Sequence, residues 1–309
     1  MDNILSIISK RTPLFMVMGV AIGLAFPKVS ELVRPYVVPI SILMALVSML
    51  RIEPKNLLSV LKRPLFISAA MFFVLIILPL ITFIICRLVG LPNWLTTGLT
   101  FASAAPPLSS AAAFAILVRL DPGMVTGLAI PATIIAPFTV WVLTSALPTL
   151  GEGVDLSGLT IRLSAIILGS LAVALLIRRL IGGTLITSWS IKLDGITVVL
   201  VALIAIGVMH DIGIVMRANP FQLIFILSLA ALVSYGSLAL SICGFWILGK
   251  DEAFSVGLLS SVKNMAVMVA AVVNVVEPEI ALVVICAQFP IFFTPLIMRP
   301  SFGYLRRKN

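Results

Sequence analysis

Leu258-Leu259-Ser260-Ser261-Val262-Lys263-Asn264-Met265-Ala266-Val267-Met268 sets a lysine and an asparagine side by side in an apolar segment running from about Ala253 to Val276. Lys263 lies about 11 residues from either end of that segment. A long side chain near a span end carries its ammonium out to the interface, but from mid-span the reach is too short. Charged residues inside membrane segments are rare and functional by default.

The rest of the chain makes this a membrane segment. Of 309 residues, 61% are hydrophobic and 11% charged, and the mean hydropathy is +1.23. A soluble domain is about half apolar and a quarter charged. Apolar runs recur from end to end, which predicts an all-α polytopic membrane protein with no room for a separate soluble domain. Helices are the expected form because lipid leaves every backbone group to be satisfied within its own segment.

Runs bounded by charges, Pro and Gly mark ten spans, near 12–27, 36–50, 65–88, 94–118, 123–147, 159–177, 194–215, 221–248, 253–276 and 279–298. The first two are short for a bilayer, and Ile4–Ile8 extends the first. With the N-terminus inside, fifteen Lys/Arg fall in inside loops and five in outside loops, Lys263 being the remaining one. That bias predicts a multi-pass protein of the cell membrane (inner or plasma) with both termini cytoplasmic.

The net charge of +9 does not imply nucleic acid, since the basic residues sit between apolar segments with no aromatic-interleaved tract. Cys86, Cys243 and Cys286 stand singly and read as packing residues. With one histidine and no Cys/His spacing, neither a metal nor a cofactor is expected. Lys10 and Arg11 precede an apolar run, but no small-residue cleavage site follows, so the N-terminus does not read as a cleavable signal.

The longest polar break at mid-chain, Pro148-Thr149-Leu150-Gly151-Glu152-Gly153-Val154-Asp155, divides the spans five and five. It separates a first repeat, 1–150, from a second, 151–309, of opposite orientation, together forming one transporter domain. The fourth span of each half is interrupted near its centre. In the first half the interruption is Ala104-Ala105-Pro106-Pro107-Leu108-Ser109-Ser110-Ala111, where two prolines remove backbone donors and push the preceding residue out of helical geometry. This predicts a helix over about 94–104 and a second piece from near Ser109. In the second half it is Ser260-Ser261-Val262-Lys263-Asn264, with no proline to enforce it. Paired interruptions point to a carrier's binding site. Each exposes amides at the N-terminus of its second piece, which attract anions. The ordinary alternative is that Pro-Pro is a kink and that Ser260 and Ser261 bond back to their own helix.

At these breaks the chain resembles the bile acid:sodium symporter family. Ala104 to Ala112 is similar to its fourth-helix CCPGG-TASN-like stretch, Leu259 to Asn264 to its ninth-helix E-x-G-x-Q-N stretch, and Arg51-Ile52-Glu53-Pro54 to its GL-x-L-x-P turn. The resemblance implies ten helices, an inverted five-plus-five repeat, and broken helices 4 and 9 crossing at the membrane centre. The family's sodium ligands are missing: its Glu position matches Leu259, its Gln matches Lys263, and its Ser-Asn matches Ala111-Ala112. The fifth span offers only Thr126 and Thr133 as side-chain oxygens. Two unit charges 4 Å apart interact by about 4 kcal/mol at an effective dielectric near 20, roughly a thousandfold in affinity. A sodium ion beside Lys263 is therefore not expected.

The sequence thus reads as a sodium-independent secondary carrier of a small, anionic organic solute, with alternating access around the two breaks. The residues expected to bind or couple are Lys263, Asn264, Ser260, Ser261, Pro106, Pro107, Ser109 and Ser110. Lys263 would replace the sodium, pair with the anion, or titrate and couple transport to protons. The competing readings are a sodium-coupled bile-acid-type symporter, and a channel or solute-sensing receptor. An intramembrane hydrolase lacks a nucleophile paired with the lone His210. Arsenite efflux fits poorly, because the arsenical-resistance branch uses a fourth-helix Cys and a ninth-helix acid. No nucleic-acid partner is expected; membrane lipid is. Elsewhere, His210-Asp211 reads as an interfacial pair, Asp194 as a helix-start residue, and Gln288 and Asn274 as interhelical hydrogen bonders. Trp94, Trp141, Trp189 and Trp246 read as interface anchors.

Overall fold

The computed structural model describes residues 12–51, 63–108, 111–147, 150, 154–273 and 275–307. Ser109, Ser110, Asn274 and all but the first residue of the Arg51-Ile52-Glu53-Pro54 turn lie outside the described residues.

Helices account for nearly all of it. They are α1 (Thr12–Ala25), α2 (Pro27–Leu50), α3 (Pro64–Leu88), α4 (Asn93–Ala104), α5 (Ala111–Leu117), α6 (Pro122–Ala146), α7 (Leu156–Ile181), α8 (Gly183–Ser188), α9 (Ser190–Ala218), α10 (Pro220–Leu248), α11 (Lys250–Ser261), α12 (Met265–Val272), α13 (Pro278–Cys286) and α14 (Phe289–Arg307). Proline stands in the first turn of α2, α3, α6, α10 and α13, where its missing N–H costs nothing. Asp121 caps α6 by accepting from the Gly123 and Met124 amides, and Asn219 caps α10 by accepting from the Gln222 amide.

Among the described residues, seven helical stretches are long and apolar enough to cross a membrane: α2, α3, α6, α7, α9, α10, and α13 running into α14 as far as Ser301. This is a multi-pass α-helical membrane protein. The three other apolar spans of the sequence fall on the 14-residue α1 and on the pairs α4/α5 and α11/α12, each interrupted where the sequence places its breaks.

The helices pack in two groups. α1 and α2 lie against α9, and α2 also against α7. α3, α4, α10, α11 and α13 pack on one another, with α6 against α3 and α11. α12 joins the groups by touching α2 and α7. Small residues allow the close approaches, as in membrane helix interfaces generally. A Cβ on Gly23 of α1 would lie 2.6 Å from Met209 Cβ of α9, and one on Gly98 of α4 would lie 2.5 Å from Val283 Cβ of α13.

Polar contacts tie the ends of the helices together, at two opposite faces. On one face Arg34 pairs with Asp211 at 2.9 Å, and Arg162 donates to the Val273 carbonyl at 2.9 Å. On the other, Arg51 pairs with Asp194, Arg63 pairs with Glu252 at 2.6 Å, and Arg178 donates to the Leu50 carbonyl at 2.7 Å. Every one of these contacts joins residues that the span order puts on the same side. Asp194 is not a helix-start residue: α9 begins four residues earlier, and the carboxylate is held by Arg51. Asp211 likewise takes Arg34 as its ion-pair partner.

Gly98→Ala should lower stability by about 1–3 kcal/mol, the usual cost of overpacking. Gly169→Ala, with nothing within 4 Å of the added carbon, should leave it nearly unchanged. Thermal unfolding of the two variants in detergent measures the difference.

Candidate functional site

Both helix breaks are present, and they meet. α4 ends at Ala104 and α11 at Ser261, and the extended residues that follow run antiparallel, with Pro107 opposite Lys263. The Leu108 amide donates to the Val262 carbonyl at 3.0 Å, and the Asn264 amide donates to the Pro106 carbonyl at 2.7 Å. The prolines suit this geometry. Pro106 contributes only its carbonyl, and Pro107 occupies the non-hydrogen-bonded position, where no N–H is called for. Thr133 of α6 fastens the same crossing, its single hydroxyl proton shared between the Ala129 carbonyl of its own helix at 2.7 Å and the Pro107 carbonyl at 3.1 Å. Thr126, by contrast, bonds to Pro122 at the exposed start of α6.

Lys263 is 4% exposed and Asn264 1%. The Lys263 ammonium donates to the Val74 carbonyl at 3.4 Å, a long hydrogen bond. Val74 lies in a π-helical stretch of α3, Phe73–Ile77. Such a stretch departs from the regular α ladder and is often found at functional sites. Among the described residues no carboxylate pairs with Lys263. Asn264 caps α12, its side-chain oxygen accepting from the Val267 amide at 3.3 Å. One of the amides expected to be free for an anion is therefore already engaged.

Ser260 and Ser261 are buried and bond back to their own helix. Ser260 donates to Gly257, and Ser261 to Gly257 and Leu258. They still face outward from α11 in one respect: with Lys263 they line a small cavity of about 20 Å³ closed by Ser103 of α4 and Ser234 and Ser237 of α10. A second, apolar cavity of about 10 Å³ is lined by Leu259 with Met71, Val74, Pro107, Leu128 and Val256. Where the family resemblance expects a sodium-binding carboxylate, the side chains present are hydrocarbon.

A larger cleft, about 970 Å³, opens between the two helix groups on the Arg34–Asp211 face. Its polar residues are Glu31, Arg34, His210, Asp211, Gln222 and Glu279, and Val269 and Val273 bring it alongside α12. Small-molecule sites run from about 300 to 1,000 Å³. The sequence reading did not find this cleft, nor Val74, Ser103, Ser234 and Ser237. The three-residue spacing of Ser234 and Ser237 puts them on one helix face, but that signal is faint in a helix with several serines.

The structure brings Pro106, Pro107, Lys263 and Asn264 into one crossing and puts Ser260 and Ser261 on the cavity beside it; Ser109 and Ser110 lie outside the described residues. Comparison with known proteins finds no match, either to a protein-family model or to a curated protein.

Leu108→Pro removes the amide that the Val262 carbonyl needs and should cost about 1–3 kcal/mol, the penalty for an unpaired buried acceptor. Pro107→Ala leaves both bridging hydrogen bonds available and should cost less. Melting temperatures of the two variants in detergent rank them.

Proposed function

We propose that the protein is a secondary carrier of a small organic anion, with the ten-span, inverted-repeat architecture of the bile acid:sodium symporter family and without that family's dependence on sodium. The observation that carries this reading is the antiparallel pairing of two broken helices with a buried lysine at the crossing. Broken helices that meet place polar backbone where a continuous helix would present none, and that backbone is tolerated in a membrane only where protein or a cavity surrounds it.

The cycle follows from the two groups of helices. α1, α2, α7 and α9 rock against the remainder about the crossing, which stays fixed. The cleft on the Arg34–Asp211 face is the vestibule from which the solute reaches α12. Lys263 takes the role that sodium plays in the related carriers: a positive charge beside the helix ends, attached to the chain. Its bond to Val74 holds α3 to the crossing in this state. The apolar lining around Leu259 supports the absence of a sodium requirement. The membrane is the cell membrane, with both termini on the cytoplasmic side, as the loop charges favour.

Purified protein in proteoliposomes should exchange radiolabelled organic acids in sodium-free buffer, and an imposed sodium gradient should change the rate less than twofold. Lys263→Ala should slow exchange at least tenfold. Uptake that requires a sodium gradient would contradict the proposal.

A further inference from the structure

The small cavity beside the crossing has more hydrogen-bond donors than its surroundings use. It lies between α4, α10 and α11, and the described side chains around it are five serines, Lys263, and apolar residues. A hydroxyl has one proton to give. Ser260 and Ser261 give theirs to Gly257 and Leu258, and Ser234 directs its own to the Ser261 carbonyl at 3.4 Å. Ser103 is different. It is 5% exposed, and among the described residues its hydroxyl has no partner. Ser237 is 6% exposed and lines the same cavity. Lys263 has three N–H groups and, among the described residues, one acceptor, the Val74 carbonyl. Buried polar groups are nearly always satisfied, and each exception calls for an explanation.

We propose that this cavity is the subsite for the carboxylate of the transported solute, with Ser103 and Ser237 donating to its oxygens beside Lys263. The proposal rests on the carrier reading above. Uncommitted donors favour a group that only accepts, and an ionised carboxylate has two such oxygens. The C-terminal ends of α4 and α11 adjoin the cavity and would by themselves repel an anion. Lys263 offsets them. A monatomic cation has the opposite problem, since it would share the site with a lysine. At about 20 Å³ the cavity is the size of a single water, so a carboxylate enters only when α10 moves away from α4 and α11, a local opening within the second helix group that is separate from the rocking of α1, α2, α7 and α9. This structure is then the closed, unloaded state, and Ser103 is the donor left without its acceptor.

An unpartnered buried hydroxyl is a cost to the fold that alanine would not carry. Ser103→Ala should therefore hold or raise the melting temperature of the unliganded protein while it weakens carboxylate binding, a combination that a purely structural serine would not give. The test is thermal unfolding of the purified protein in sodium-free detergent solution, titrated with potassium acetate, pyruvate or benzoate against potassium chloride at equal ionic strength. At least one carboxylate should stabilise the wild type saturably. Ser103→Ala and Ser237→Ala should each weaken that binding at least tenfold, and Ser228→Ala, on an exposed face of α10, should not.

Stabilisation by no carboxylate beyond chloride would mean a cavity for water only and would overturn the proposal. So would Ser103→Ala and Ser237→Ala proteins that bind as the wild type does. Proteoliposome exchange separates the two levels of the argument. If exchange persists while the serine variants bind normally, the subsite is wrong and the carrier reading stands. If carboxylates bind through the serines and no exchange occurs, the subsite stands and the carrier reading fails.

Discussion

Two backbone hydrogen bonds, Leu108 to Val262 and Asn264 to Pro106, are the constraint on which the centre of this protein depends. In lipid a helix break is costly, because it frees amides and carbonyls with no water to receive them. Two breaks brought together satisfy each other. That pairing fixes where α4 and α11 stop. It sets Lys263 and Pro107 face to face, and it leaves the ends of the helices pointing at a common centre. α6 adds a third tie through Thr133, and α3 a fourth through the Val74 carbonyl.

The charge at the crossing follows from the same geometry. The C-terminal ends of α4 and α11 converge there, and they are negative ends. A sodium-coupled carrier meets that field with a mobile ion. On the proposed reading the chain carries its own cation, and the residue that the family resemblance sets at the sodium-ligand position is Leu259, packed among apolar side chains. A tethered ammonium cannot leave with the solute. A carrier of the proposed kind would have one fewer species to bind and release and would draw no energy from a sodium gradient.

The all-helical, membrane-spanning character could be read from the chain alone, because long apolar runs follow from hydropathy. Pro106-Pro107 announced the first break directly. The second break carried no proline, and only the polar cluster around Lys263 marked it. What ends α11 is its partner, 157 residues away in sequence. The functional surroundings were less legible for the same reason. Val74 is an ordinary valine until the π turn of α3 presents its carbonyl, and Ser103, Ser234 and Ser237 form a cavity only when three separate helices pack. Asp194 reads as a helix-start residue because its partner, Arg51, lies far away in sequence, just past the end of α2.

The central claim is that the two breaks are paired. Leu108 and Val262 stand opposite each other across that pairing, and opposed residues at such positions are about 5.5 Å apart between Cα atoms, inside the range a disulfide spans. The most direct measurement is oxidative cross-linking of Leu108→Cys with Val262→Cys in a chain whose Cys86, Cys243 and Cys286 are replaced, read as a linked peptide by mass spectrometry. The account predicts a disulfide in the folded, membrane-embedded protein under mild oxidation. Two cysteines that remain free and are alkylated separately in that folded protein would contradict it.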